Sequence, residues 1–129
     1  MAIQVYVVDD SAVVRQAIQH ILSGDPDIQL VGSAPNPLLA APAIRKARPD
    51  VLLVNPPRAG LQQETWTKLR QEALQNFTGP IVYSSCNAST MARDIGYLTA
   101  EGYRVRELKL FDFFPWTHHF ETVALLTKT

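Results

Sequence analysis

Residues 50–61 read DVLLVNPPRAGL, and the fold turns on how this stretch divides. Val51 to Val54 is an uninterrupted β-branched and apolar run, the pattern of a strand buried on both faces of a parallel sheet. Asn55 closes it. Pro56 and Pro57 have no amide to give to a ladder, so the chain leaves the sheet there in a stiff loop. A buried strand that ends at a polar residue and a rigid loop belongs to an α/β domain, where the loops at the carboxyl ends of strands hold ligands.

Upstream, Ile3 to Val8 is a similar run and ends at Asp9-Asp10, giving strand 1. Ser11 caps a helix in which Val13, Val14, Ala17, Ile18, Ile21 and Leu22 recur at helical spacing until Gly24. Asp25-Pro26-Asp27 is a turn, and Ile28 to Ala34 is a second strand, placed at an edge because Gly32 and Ser33 weaken its end. Asn36-Pro37 opens a second helix with Leu38, Leu39, Ala43, Ile44 and Ala47 available to face the sheet. Pro42 lacks the amide that would bond back to Leu38, which predicts a late start or a kink, at about 3 kcal/mol if forced.

Downstream, Trp66, Leu69, Ala73 and Phe77 mark a third helix, and Ile81 to Ser85 a fourth strand. Met91, Ile95 and Leu98 lie on one face of a fourth helix that Gly102 closes. Tyr103 to Phe111 and Glu121 to Thr127 read as the last two strands. The connection between them, residues 112–120, is too short for the dozen or so residues of a parallel crossover, so the sixth strand is predicted antiparallel to the fifth.

The whole chain sets limits on function. Its 129 residues suit one domain. A composition of 47% hydrophobic and 19% charged residues is that of an ordinary globular protein and excludes disorder or a fibrous repeat. Twelve basic against twelve acidic residues give a net charge of zero, without the basic excess that neutralises phosphates, so strong nucleic-acid binding by this chain alone is not expected. A single cysteine, Cys86, allows no internal disulfide, and the opening MAIQVYVVDD is no signal peptide, so a cytoplasmic protein is expected. No apolar run approaches the roughly 20 residues that cross a bilayer. No membrane or protein partner is expected, and a monomer is the default.

Three stretches of the first half, VVDDSAVVRQAI (7–18), DPDIQLVGSAPNPLLA (25–40) and ARPDVLLV (47–54), closely resemble a response-regulator receiver domain, especially that of the chemotaxis methylesterase. The likeness covers residues 2 to about 54. It implies that Asp9 and Asp10 hold Mg²⁺ beside a phosphoacceptor aspartate after strand 3. Asn55 stands at that place, and a neutral amide cannot form an acyl phosphate. With one ligand charge missing, Asp9 and Asp10 are expected to hold Mg²⁺ weakly at most.

The rest resembles another family. LVNPPRAGL (53–61), IVYSSCNASTMARDI (81–95) and ELKLFDFFPWTHHFETVALL (107–126) are similar to the C-terminal part of RNA 5-methyluridine methyltransferases, most closely the 23S rRNA type. Three motifs in one order are far more specific than one short pattern. The resemblance implies that Cys86 attacks C6 of uracil, that Glu121 removes the C5 proton, and that Asn55 and Arg58 surround the base. A thiolate is the reactive form of cysteine, and the amino end of a helix, where Cys86 falls, favours negative charge. The family's glycine-rich turn for S-adenosylmethionine is not recognisable, because VYVVDDSAVVRQ occupies its place without a glycine.

Overlaying both likenesses at strand 3 gives one α/β domain over residues 1–129, with a receiver-like segment 1–54 joined to a methyltransferase-like segment 55–129. The expected fold is three-layered and Rossmann-like or flavodoxin-like, a mostly parallel six-stranded sheet in the order 2-1-3-4-6-5 with strand 6 antiparallel. The expected function is that of an engineered or recombined chimera, with no catalytic activity, no cofactor and no partner, in which Cys86, Glu121, Asn55 and Arg58 are vestigial. Two alternatives stand beside it: a remnant uridine-C5 methyltransferase site in which Cys86 still adds to uracil, and a non-phosphorylatable pseudo-receiver that binds a partner. His118 and His119 are not expected to bind metal, since neighbours in an extended segment point apart and no third ligand is near. Phe111, Phe113, Phe114 and Trp116 are expected to pack the final hairpin rather than stack on bases.

Overall fold

Each apolar run of the sequence becomes a strand of one mixed sheet. The structure is a computed structural model and describes residues 2–57, 60, 61, 63–75, 77–111 and 121–128. In chain order the elements are β1 (Ile3–Asp9), α1 (Ala12–Ser23), β2 (Ile28–Ala34), α2 (Pro37–Ala47), β3 (Val51–Asn55), α3 (Gln63–Leu69), a π-helical turn (Arg70–Leu74), β4 (Ile81–Ser85), α4 (Ala88–Ala100), β5 (Tyr103–Phe111) and β6 (Glu121–Lys128). The strand order is β2-β1-β3-β4-β6-β5. β1 runs parallel to β2 and β3, and β3 to β4, whereas β6 runs antiparallel to both β4 and β5. This is the predicted order and the predicted reversal of the last strand.

Strand alternation divides the core between two unequal faces. Tyr6, Val8, Leu52, Val54, Ile81, Tyr83, Ala124 and Leu126 point to one side, where they form a single buried cluster with Ala40, Ala41 and Ile44 of α2, Leu69 of α3, and Met91 and Leu98 of α4. Burying a side chain such as Leu52 or Leu126 contributes about 1.5–3 kcal/mol, so most of the stability lies on this side. Right-handed crossovers leave only α1 for the opposite face. It packs against β1 and β2, over the buried Val5 and Val7. Beyond its reach Leu53, Val82, Val123 and Leu125 are only half-buried.

Two helices depart from the sequence reading. No residue of α1 is fully buried. Ile18 and Leu22 approach the sheet, while Val13 and Ile21 of the same apolar series stand 76% and 70% exposed. α2 neither starts late nor waits for Pro42: it begins at Pro37, with the Asn36 side chain accepting from the Leu39 amide at 3.0 Å. Pro42 and Leu38 both lie on the exposed side of that helix, where water can take up the carbonyl deprived of its amide partner.

The third helix is also interrupted. α3 gives way to the π-helical turn at Arg70, and Phe77 lies beyond the helix although it is buried. The chain end secures this region. Lys128 Nζ donates to the Leu74 and Phe77 carbonyls at 3.0 and 3.2 Å, a cation on the orphan carbonyls of a helix end. Tyr103 donates its hydroxyl to the Phe77 and Gly79 carbonyls. Gly79 runs so close to the start of β3 that a β-carbon there would lie 2.1 Å from the Asp50 carbonyl oxygen.

Candidate functional site

The carboxyl ends of the parallel strands β1, β3 and β4 share one edge of the sheet, and antiparallel β6 begins at that same edge. The register sets Asp9 beside Asn55 and Ser85 beside Thr122. By alternation Asp9, Asn55, Ser84 and Glu121 then fall on the thinly covered face, the side of α1. Residues far apart in sequence thus line up along one edge, in the order β1, β3, β4, β6.

Asn55 donates its side-chain amide to Asp9 Oδ2 at 2.8 Å. The other oxygen of Asp9 accepts from the Ser11 amide at 2.8 Å, and Arg15 donates to the Asp9 carbonyl. Asp9 is buried and spends its carboxylate on these groups, whereas Asp10 is exposed. The two acids predicted to share a cation therefore have different surroundings. Among the described residues no group of three or more His, Cys, Asp or Glu side chains converges on a metal position.

Cys86 is exposed, at the bend between β4 and α4. The bend is tightly held. The Ser85 hydroxyl accepts from the Asn87 amide and donates to the Asn87 carbonyl, both at 3.0 Å. Asn87 caps α4 by accepting from the Ser89 and Thr90 amides, as a short polar residue at that position does. The thiol is carried on a rigid arch ahead of a capped helix. Along the edge, Ser84 donates its hydroxyl to Glu121 Oε1 at 2.6 Å, a charge-assisted hydrogen bond that fixes the carboxylate.

A second cluster was not among the predicted site residues. Asp94 of α4 is fully buried. Its Oδ2 accepts from the Leu61 amide at 2.8 Å and from the Tyr83 hydroxyl, and its Oδ1 accepts from Arg93. Arg93 also donates to the Leu61 carbonyl at 2.9 Å. Gly60, at φ +76°, passes so close that a β-carbon would lie 2.6 Å from Asp94 Oδ2. Burial first, then the Asp94 hydrogen bond and charge, push the Tyr83 phenol far above its ordinary range. The signal in the sequence was an acid at position 94 on the same helical face as Met91 and Leu98. Arg58, His118, His119, Phe113, Phe114 and Trp116 lie outside the described residues. Phe111, at the end of β5, is partly exposed.

A Rossmann-like sheet with a reversed last strand, carrying a cysteine after its fourth strand and a glutamate at the head of its sixth, defines a class that comparison with known proteins identifies. The chain belongs to the tRNA (uracil-5-)-methyltransferase family, whose sequence profile matches residues 43–129. It is 49% identical over 81 residues to the 23S rRNA (uracil(747)-C(5))-methyltransferase RlmC of Citrobacter koseri, a match covering 63% of this chain and 20% of that protein. The chain thus spans about a fifth of the length of the curated relatives it matches.

Solved structures share the fold. The precorrin-6y C5,15-methyltransferase of Geobacter metallireducens superposes with a TM-score of 0.57 at 14% identity, over 99% of this chain and 81% of that one. A putative tRNA (m1A22) methyltransferase of Streptococcus pneumoniae, solved in complex with S-adenosyl-L-methionine, gives 0.51 at 13% identity, over 96% and 53%. The response regulator domain of Thermotoga maritima CheB is 32% identical over 57% of this chain and 55% of its own, with a TM-score of 0.47.

Three expectations are overturned by these findings. A chimera without activity was expected, but the family match over residues 43–129 and the relatives named as 23S rRNA uracil-C5-methyltransferases point to an RNA methyltransferase. The expectation that the chain is not an enzyme falls with it. The expectation of no cofactor is overturned as well, since a methyltransferase family implies S-adenosylmethionine as donor.

The β1–α1 turn itself does not fit that donor. It contains no glycine where the backbone would have to approach the donor closely, and the Ser11 amide is taken by the buried Asp9 carboxylate, so no chemical step below is routed through the donor. Among the described residues no helix is long and apolar enough to cross a membrane.

Proposed function

We propose that this chain carries the uracil-activating chemistry of an RNA uridine-C5 methyltransferase, with uridine in RNA as substrate. The observation that carries this reading is that the exposed Cys86 follows β4 at the same sheet edge where the Ser84–Glu121 and Asp9–Asn55 pairs lie on one face. Cys86 as thiolate adds to C6 of uracil, forming the S–C6 bond and moving the π electrons to C5 and the O4 enolate. C5 takes a proton from solvent. Glu121 then removes the C5 proton as general base, and the electron pair expels the thiolate, restoring the 5,6 double bond. Asn55, oriented by Asp9, offers amide groups to the base edge, and Arg58 is assigned to the same pocket by the family motif.

The front of the chain is proposed to be of receiver type, on the stretches 7–18, 25–40 and 47–54, with the joint inside β3 and a single domain over residues 1–129. The chemistry of the reading rests on Cys86, Glu121 and Asn55, all at or beyond that joint.

The direct test is mass spectrometry of the chain incubated with RNA containing 5-fluorouridine, together with exchange of the C5 hydrogen of ordinary uridine RNA into deuterated water. The expected result is a covalent adduct and measurable exchange, both lost in Cys86→Ala, with exchange alone lost in Glu121→Gln. If neither adduct nor exchange depends on Cys86, the reading is wrong.

A further inference from the structure

The family motifs account for Cys86, Glu121, Asn55 and Arg58 but give no task to the buried acid of α4. We propose that Asp94 is a positioning residue for the uracil site, a latch that ties the Gly60–Leu61 end of the β3–α3 loop to the helix that follows Cys86. This rests on the uracil-addition reading above.

The geometry is specific to one residue of the loop. Leu61 gives its amide to Asp94 Oδ2 at 2.8 Å and takes Arg93 Nη2 on its carbonyl at 2.9 Å. Adjacent residues of α4 therefore hold both sides of a single loop residue. The carboxylate has no exposure and the arginine is 44% exposed, so the carboxylate bonds form in a low dielectric where they hold most firmly. Gly60 completes the latch, because its positive φ and its approach to Asp94, Arg93 and Thr90 leave no room for a side chain. Within the loop, Gly60 N donates to the Pro57 carbonyl at 2.7 Å.

The other end of the loop is held too, since Asn55 is bonded to Asp9 across the β1–β3 register. A loop pinned to β1 at one end and to α4 at the other fixes the spacing between the Asn55 side of the base pocket and the arch bearing the thiol. Asp94 touches neither the thiol nor Asn55 in any of these hydrogen bonds. It acts through the loop, and misplacement of a reacting group by about 1 Å costs on the order of 100-fold in rate.

Three variants of the full chain separate positioning from plain stability. Asp94→Asn keeps the volume but cannot accept from Leu61, Tyr83 and Arg93 together. Arg93→Gln removes the bond to the Leu61 carbonyl at a partly exposed site and guards against misfolding of the first variant. Tyr103→Phe removes a buried hydroxyl at the opposite edge of the sheet and serves as the stability control. Among molecules folded by circular dichroism, the rate of adduct formation with 5-fluorouridine RNA is expected to fall about 10- to 100-fold in Asp94→Asn and Arg93→Gln. Alkylation of Cys86 by iodoacetamide is expected to stay at the wild-type rate in all three, and Tyr103→Phe to form adduct normally.

A second readout does not depend on uracil chemistry. A nitroxide on Cys86, the only cysteine, is expected to broaden the Gly60 and Leu61 amide signals in wild type and Tyr103→Phe, and less so in the two latch variants. Unchanged broadening in both latch variants, or normal adduct rates despite a displaced loop, would overturn the role of Asp94. If wild type forms no adduct, the uracil reading fails, and the relaxation measurement still decides whether Asp94 sets the position of the loop.

Discussion

At the scale of single residues, the site depends on polar groups that are held before any ligand arrives. Ser84 is the plainest case, since one hydroxyl at 2.6 Å orients Glu121. Ser84→Ala is expected to slow C5 hydrogen exchange about 10-fold, as a base left without orientation loses part of the 10²–10⁴ that general base catalysis contributes, while the 5-fluorouridine adduct forms as before. Deuterium uptake followed by mass spectrometry checks both. Three tyrosines give the fold its response to alkali. Burial raises the phenols of Tyr6, Tyr83 and Tyr103 above the ordinary value of 10.0, those of Tyr83 and Tyr103 most. A raised pKa means that the neutral form is favoured by folding, so this stability is full below about pH 10, where unfolded tyrosine titrates, and is lost as pH rises above it. Urea midpoints are expected to be unaffected by these tyrosines between about pH 7 and 9 and to fall by pH 11, with a shallower fall in Tyr103→Phe.

At the scale of elements, helices carry the departures from local rules. Pro42 sits inside α2 without delaying its start, so Pro42→Ala restores an amide to the Leu38 carbonyl and is expected to raise stability by about 1–3 kcal/mol. A higher urea midpoint at unchanged slope is the measurement. α1 presents the opposite situation. Its spacing is that of an amphipathic helix, yet Ile21 is 70% exposed. Ile21→Lys is accordingly expected to change stability by no more than about 0.5 kcal/mol. The same substitution at Ile44 of α2, which is 2% exposed, would bury an unpaired charge and is expected to prevent folding.

At the scale of the whole molecule, the sheet is covered unequally. Among the described residues three helices lie over the face with the main core, and one lies over the face that bears Asp9, Asn55, Ser84 and Glu121. Stability should follow this division. Amide hydrogen exchange is expected to be slowest in β1, β3, β4 and β6, which have a neighbour on either side. It is expected to be fastest among the strands in β5, an edge strand on which Leu108 and Leu110 are 59% and 64% exposed. Protection of β5 equal to that of β3 would contradict it.

Much of this was legible along the chain. Strand positions and the reversal of β6 follow from apolar runs, from prolines that end β3, and from a connection too short for a crossover, whereas the strand order followed from the two family resemblances. Cys86, Asn55 and Glu121 were legible because their motifs are contiguous. Reading the gaps between motifs as loss of function failed, because a motif that is absent says less about chemistry than motifs that are present. Three-dimensional packing alone decided the rest. Whether α1 uses its apolar stripe depends on how much sheet lies beneath it, and whether Pro42 is tolerated depends on which side of α2 faces solvent. That Asp94 grips a loop 33 residues away is a matter of contact, since the carboxylate and the Leu61 amide come together only when β3 and β4 pair and α4 folds back over them.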